Sequence, residues 1–230
     1  HRGDDSKYRE FRELVNVIAR EPCLNQFRGI CDANEPEALC AVCRARTLVE
    51  SELNMSKIHS TAIISPRANI ADDVAIGPFC VIGDNVVIGA GTRVMEHVVL
   101  RKGTSIGKNC YIDAGVKMSG DCVICNNVTV RYDAIIAKGC VVGDGSFISP
   151  QVMTINLDHQ GNAIGGAKIG EKCHIGTNAT LNPGITIADG AVIGAKALVT
   201  RNCPEPSDVG AYVGIPAKLK RKLTGDGDGV

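Results

Sequence analysis

The fold is most clearly indicated by the sequence VAIGPFCVIGDNVVIGAG, residues 74–91. Within it an isoleucine returns every six positions, at Ile76, Ile82 and Ile88. A large apolar residue keeps this six-residue period without a miss from position 58 to position 148, and again from position 169 to position 199. Self-similarity at a fixed period indicates a repeat architecture, in which each short unit buries its apolar face against the next.

A smaller residue stands two positions before each large one, as Val74, Cys80 and Val86 do. Side chains of a strand alternate between its two faces, so residues two apart point to the same side. Each pair is therefore expected to fill an interior, with the residue between them facing solvent. A glycine often follows the large residue, which suits a tight corner after a short strand. The pattern predicts an all-β fold, a parallel β-helix of hexapeptide repeats.

The chain is expected to have three parts. Residues 1–55 form a small N-terminal α-helical segment, because residues 7–20 carry apolar side chains at helical spacing and Asn34 is placed to cap a second helix. Residues 56–203 form the β-helix, with a protruding loop at about 150–166. Residues 204–230 form a basic segment and a flexible tail.

Composition narrows the range of partners and locations. Lys plus Arg and Asp plus Glu both number 25, so no net charge favours nucleic acid or an anionic membrane as a partner. No apolar run approaches the roughly 20 residues that would span a bilayer. The first residues are polar and show no signal peptide. Many unpaired thiols fit a reducing compartment, so a cytoplasmic location is expected.

The cysteines divide into two groups. Those of the repeat occupy the small inward position, where cysteine behaves as a small buried hydrophobe; they are Cys80, Cys110, Cys122, Cys140 and Cys173. Those of the N-terminal segment contain one C-x2-C pair, whereas structural zinc usually shows two; they are Cys23, Cys31, Cys40 and Cys43. Packing and metal binding both stay open for the second group, and we assign no metal ligand.

Two later stretches carry a resemblance to a known family. They are KIGEKCHIGTNATLNPGITIADGAVIGAKALVTRNCPE, residues 168–205, and YVGIPAKLKRK, residues 212–222. Together they resemble the C-terminal half of the hexapeptide acyltransferases, above all the maltose, galactoside and xenobiotic acetyltransferases, with bacterial amino-sugar N-acyltransferases related. The resemblance implies a left-handed coil with three faces and eighteen residues per turn, against the usual right-handed crossover.

The same resemblance implies an activity. It points to an acyl-CoA-dependent O- or N-acetyltransferase that uses acetyl-CoA as donor and a sugar, nucleotide sugar or similar small molecule as acceptor. It also implies a homotrimer with active sites between subunits. The alternative of another class is a non-catalytic β-helix scaffold subunit of a larger assembly.

The period breaks at TINLDHQGNAIGG, residues 154–166. By resemblance this loop reaches a neighbouring subunit and carries the general base, which here would be His159. An imidazole with a pKa near 6.5 suits proton transfer at neutral pH. Asn156 and Asp158 are candidates for binding the acceptor. A solvated loop histidine is the plainer interpretation.

Carry-over by position also assigns the cofactor-binding residues. His174 takes the place where family members often carry a tryptophan near the cofactor groove. Lys218 and Arg221 would meet the phosphates of coenzyme A, where charged donors bind most strongly. The full set implied by the resemblance is His174, Gly176, Thr177, Ala195, Thr200, Arg201, Lys218 and Arg221.

Overall fold

The computed structural model describes residues 57–203 and 210–222. The chain divides into two compact units, residues 1–56 and 57–230, and every described residue belongs to the second. The predicted N-terminal helical segment and its four cysteines therefore lie outside the described residues. Within the described ranges the chain forms strands and turns and no helix, so no helix there could cross a membrane.

Twenty-two strands of two residues each are followed by two longer ones. In chain order they are β1 Ile63–Ile64, β2 Asn69–Ile70, β3 Ala75–Ile76, β4 Val81–Ile82, β5 Val87–Ile88, β6 Arg93–Val94, β7 Val99–Leu100, β8 Ser105–Ile106, β9 Tyr111–Ile112, β10 Lys117–Met118, β11 Val123–Ile124, β12 Thr129–Val130, β13 Ile135–Ile136, β14 Val141–Val142, β15 Phe147–Ile148, β16 Met153–Thr154, β17 Lys168–Ile169, β18 His174–Ile175, β19 Thr180–Leu181, β20 Thr186–Ile187, β21 Val192–Ile193, β22 Leu198–Val199, β23 Gly210–Val213 and β24 Lys218–Lys222.

Every third strand joins the same sheet, so the chain winds around three parallel sheets. Sheet 1 has the order β1-β4-β7-β10-β13-β16-β19-β22, sheet 2 the order β2-β5-β8-β11-β14-β17-β20, and sheet 3 the order β3-β6-β9-β12-β15-β18-β21-β23-β24. In the regular coils partners lie eighteen residues apart, as Ile64 and Ile82 do. The predicted left-handed parallel β-helix is confirmed. We name its corners by the sheets they join: the 1–2, 2–3 and 3–1 corners.

The interior is built as the period predicts. Ile76, Ile82 and Ile88 are at most 2% exposed, and so are the smaller residues two positions before them. The repeat cysteines are free and buried, and they also join successive coils by hydrogen bonds. The Cys80 thiol donates to the Met95 carbonyl at 2.8 Å. The thiols of Cys110, Cys122 and Cys173 likewise donate to carbonyls fifteen residues later.

The repeat glycines have a different role from the one predicted. A Cβ on Gly77 would lie 2.8 Å from the backbone nitrogen of Glu96, one coil later. These glycines therefore allow close approach between coils, and their φ angles are not positive. From Phe79 onward, the positive φ of the regular corners falls instead on the residue before the small inward one, as at Asn85 (φ 54), Gly91 (φ 73) and Asn109 (φ 54).

Residues 210–222 cover the last coil. Strand β23 extends sheet 3 in parallel with β21, and β24 then runs antiparallel to β23. The turn between them reaches sheet 1, where the Ala217 amide donates to the Leu198 carbonyl at 2.8 Å. Cys203 pairs with Ile187 at the edge of sheet 2. All three sheets thus gain a partner at this end, where an open strand edge would otherwise expose unpaired backbone groups.

Candidate functional site

A hairpin leaves the coil at the 1–2 corner. Strand β16 ends at Thr154 and β17 begins at Lys168. The loop therefore occupies residues 155–167 and starts later than the predicted range of about 150–166, since β16 still belongs to the coil. Leu157 and Ala163 pair antiparallel within the loop.

Thr154 explains how the coil stays closed where the hairpin departs. It occupies the large inward position and is only 2% exposed. In regular coils the amide after that position donates to the carbonyl of the next coil, as the Ser119 amide does to Ile136. Here the Ala137 amide donates to the Thr154 hydroxyl at 2.6 Å, and that hydroxyl donates to the Ile135 carbonyl at 3.2 Å.

Asp158 braces the tip of the hairpin. Its carboxylate accepts hydrogen bonds from the backbone amides of Gln160, at 2.9 Å, and Asn162, at 2.8 Å. The Asn162 side-chain amide donates to its second oxygen at 3.0 Å. These bonds, above all the one from the Asn162 side chain, hold the pKa of Asp158 below its ordinary value. Asp158 thus shapes the turn that displays His159.

His159 lies exposed at this tip. Among the described residues it has no hydrogen-bond partner, so its ring is free to meet a molecule from outside the chain. Asn156 closes the base of the hairpin, where its backbone carbonyl accepts from the amides of Ile164 (2.9 Å) and Gly165 (3.2 Å). At the end of the hairpin, the chain rejoins the coil at Gly166. This glycine packs so closely on Cys140 that a Cβ would overlap the Cys140 backbone.

His174 lies on the outer face of sheet 3, and its outward orientation was predicted. Its ring stacks on Phe147, with centroids 5.3 Å apart and an angle of 2° between the planes. Its Nε2 lies 3.4 Å from the Ser149 hydroxyl. Sequence reasoning missed both partners, because the hairpin insertion separates stacked positions by 27 residues in place of 18. Adding the nine extra residues to the period would have found them.

The other predicted cofactor residues fall into three places. Gly176, Thr177 and Ala195 lie on the 3–1 corner beside His174, with Thr177 and Ala195 exposed. Lys218 begins β24, exposed at the end of sheet 3, and Arg221 lies in the same strand opposite Ala211. Thr200 and Arg201 are exposed on the 1–2 corner, which is the corner of the hairpin.

A single chain does not unite these groups. His159, Thr200 and Arg201 belong to the 1–2 corner, and His174, Thr177 and Ala195 belong to sheet 3 and the 3–1 corner. Sheet 1 lies between the two corners. In residues 57–203 and 210–222, no three His, Cys, Asp or Glu side chains are grouped so as to hold a metal ion.

Two family models match the coils. The model for bacterial transferase hexapeptide (six repeats) matches residues 103–138 and 166–201, on either side of the hairpin and not the hairpin itself. The model for the GMPPB C-terminal domain matches residues 58–114.

Curated relatives match over a short part of the chain. Chloramphenicol acetyltransferase of Agrobacterium fabrum is 47% identical over 62 residues, which are 27% of this chain and 28% of that protein. Galactoside O-acetyltransferase of Escherichia coli is 42% identical over 55 residues, which are 24% and 26%. The chain thus matches little more than a quarter of the length of these relatives.

Solved structures share the fold over a larger part. The UDP-N-acetylglucosamine acyltransferase from Campylobacter jejuni superposes with a TM-score of 0.58 at 20% identity. The match covers 72% of this chain and 74% of that one. At this identity the likeness concerns the β-helix and not what it binds.

Proposed function

Because this chain belongs to the hexapeptide-repeat family and has acetyltransferase relatives, we propose that it is a coenzyme A-dependent acyltransferase. It moves an acyl group, acetyl in the first instance, from acyl-CoA to a hydroxyl or amine of a small acceptor. One observation carries the proposal. The coil of residues 57–203 is interrupted by a hairpin whose tip is braced by Asp158 and displays a free imidazole, that of His159.

The reaction is a direct transfer. A nitrogen of the His159 imidazole accepts the proton of the acceptor hydroxyl or amine as that oxygen or nitrogen bonds to the thioester carbonyl carbon. The carbon–sulfur bond then breaks, and the coenzyme leaves as a thiolate that takes up a proton. The exposed imidazole then returns its proton to water before the next turnover.

The donor binds along the 3–1 corner and the end of sheet 3. Thr177 and Ala195 are exposed there, one coil apart, and would line the path of the pantetheine arm. Lys218 is exposed in β24 and would meet the phosphates, since cationic donors bind phosphate oxygens strongly. Arg221 is assigned to the same group by its place in that strand.

We further propose that three copies form the active enzyme. Six of the eight outward residues of sheet 1 are apolar, against three of seven in sheet 2; those of sheet 1 are Ile63, Val81, Val99, Ile135, Met153 and Leu198. If sheet 1 faces a threefold axis parallel to the coil, its apolar column is buried. The 1–2 corner of each copy then meets the 3–1 corner of the next, which brings His159 of one chain to the His174 surface of another.

A sugar is the first acceptor class to test. The Escherichia coli relative is named for O-acetyl transfer to galactosides, and hydroxyl transfer needs a base such as His159. Nucleotide sugars carry the same hydroxyls and belong to the same panel. In the scaffold alternative the hairpin would carry no chemistry.

The test is His159→Ala, with thiol release from acetyl-CoA followed over a panel of glycosides and nucleotide sugars. Loss of the base should lower kcat by about 10²–10⁴-fold, the usual contribution of positioned proton transfer, while calorimetric affinity for coenzyme A is unchanged. His59→Ala, an exposed histidine of the first coil, is the matched control and should keep full activity. Near-normal kcat in His159→Ala would disprove the assigned base. A chain that neither binds coenzyme A nor releases thiol would favour the scaffold.

A further inference from the structure

Three outward residues of sheet 3 make a notch on its surface. Tyr111, Thr129 and Phe147 lie in register on successive coils. Neighbouring strands are about 4.8 Å apart, so the strands that carry the two rings are about 10 Å apart. In the outward column of sheet 3, the short side chain of Thr129 lies between them. We call this notch the Thr129 slot.

The upper wall of the slot is the partly exposed ring of Phe147. Phe147 and His174 lie one coil apart with parallel rings, so His174 covers one face of Phe147. The opposite face is turned toward the Thr129 coil. Tyr111 forms the lower wall, with its hydroxyl 3.5 Å from the Asp113 carboxylate.

Arg131 stands at the side of the slot, on the same coil as Thr129. Its Nε donates to the Asp113 carboxylate at 2.8 Å, and neither terminal guanidinium nitrogen has a partner among the described residues. The Asp113 side chain is 14% exposed and that of Arg131 is 40% exposed. Asp113 also accepts from the Ala114 amide at 2.9 Å. The carboxylate is therefore fixed, and it holds two open donors of Arg131 beside the slot.

We propose that the Thr129 slot binds the pyranose ring of the acceptor, an inference that rests on the proposed function. The apolar C–H face of a pyranose packs on an aromatic ring, and two adjacent sugar oxygens match the parallel donors of a guanidinium. The Arg131–Asp113 pair has no net charge, which suits a neutral polyhydroxylated ring. Few, well-placed polar groups beside an apolar surface are the usual composition of a small-molecule site.

The level of the slot along the coil fits this assignment. The hairpin belongs to the coil of β16–β18. In a trimer whose axis is parallel to the coil, the hairpins of the three copies lie at the same height as this coil. Thr129 lies two coils before His174, whereas Thr177, Ala195 and Lys218 follow His174. Acceptor and donor would therefore approach the imidazole from opposite sides along one cleft.

The first test fills the slot. Thr129→Phe places a ring at an outward strand position, where aromatic residues are well tolerated, and leaves both walls and the ion pair in place. Binding of methyl hexopyranosides to the full chain without coenzyme A is followed by saturation-transfer NMR. We expect the signal of the wild-type protein to be lost in Thr129→Phe. Asn69→Phe, an exposed outward position of sheet 2, is the matched control and should bind as the wild type does.

The second test removes the guanidinium fork and keeps the charge. Arg131→Lys should raise the KM for the glycoside by about tenfold, equivalent to about 1.4 kcal/mol of binding. The KM for acetyl-CoA, kcat and the melting temperature should stay unchanged. A purely structural role of Arg131 would instead lower the melting temperature without separating the two KM values.

The outcomes separate this inference from the proposed function. If coenzyme A binds and glycosides are acylated, but Thr129→Phe and Arg131→Lys keep the wild-type affinity for glycoside, the slot is not the acceptor site and the acyltransferase stands. If coenzyme A binds and no hexopyranoside binds to the wild-type protein at millimolar concentration, the pyranose assignment is overturned. If neither donor nor sugar binds, the proposed function fails first.

Discussion

Single side chains decide where the regular coil can be interrupted. At the large inward position every coil from 58 to 148 carries an apolar residue, whereas the coil that opens into the hairpin carries Thr154. The Thr154 hydroxyl accepts the Ala137 amide and donates to the Ile135 carbonyl. It therefore satisfies backbone groups that the departing chain leaves behind, in a place that water does not reach.

Thr154→Val tests that role. The substitution keeps the shape of the side chain and leaves the buried Ala137 amide without a partner, which should lower the free energy of unfolding by about 1–3 kcal/mol. Denaturant unfolding measures the change. Thr186→Val is the same chemical change at an exposed outward position and should stay within about 0.5 kcal/mol of the wild type. Equal stability of the two variants would show that the Thr154 hydroxyl does not hold the coil together.

At the scale of the elements, the hairpin is held in shape by one ionised group, the carboxylate of Asp158. The carboxylate of Asp158 accepts from two backbone amides and one side-chain amide at the tip. These bonds lower the pKa of Asp158 from its ordinary value of 3.8. A lowered pKa means that the carboxylate stabilises the hairpin at neutral pH, and that this contribution is lost as the pH falls through the folded value.

The corresponding prediction concerns order at the tip. Below pH 3.8, the ordinary value for Asp158, the Gln160 and Asn162 amides should lose protection from hydrogen exchange while the amides of the coil keep theirs. Asp158→Ala, which removes the oxygen that accepts both backbone amides, should show the loss already at neutral pH, with reduced turnover because His159 is no longer held in position. Unchanged protection in that variant would contradict the brace.

The elements also show how far sequence reasoning reaches. The six-residue period predicted every two-residue strand except β16, because burial in a narrow coil depends only on spacing. It placed the start of the hairpin too early, since Thr154 is polar and yet buried. Sequence reasoning did not predict the Thr129 slot, although Tyr111, Thr129 and Phe147 are spaced eighteen residues apart. Which outward side chains form a site depends on the ring stack and on the Arg131–Asp113 pair, and spacing alone reveals neither.

At the scale of the whole molecule, the candidate site residues are distributed over two corners of the coil. The hairpin of His159 and the surface of Thr177 flank sheet 1, whose outward column is apolar. A chain acting alone would leave both that column and the hairpin side chains Leu157 (43% exposed) and Ile164 (54% exposed) in water. In the proposed trimer, three copies around one axis would bury the apolar column and complete three sites, each from two chains.

The most direct test of this shared site is complementation between two inactive variants. His159→Ala lacks the base, and Thr177→Trp blocks the donor surface. Co-expressed chains should form mixed trimers, with a mass by light scattering of about three times the 24.2 kDa chain. In a random mixture about a quarter of the junctions pair an intact hairpin with an intact donor surface. We predict about that fraction of the wild-type acyl transfer rate, whereas mixed trimers no more active than either variant alone would contradict a site built from two chains.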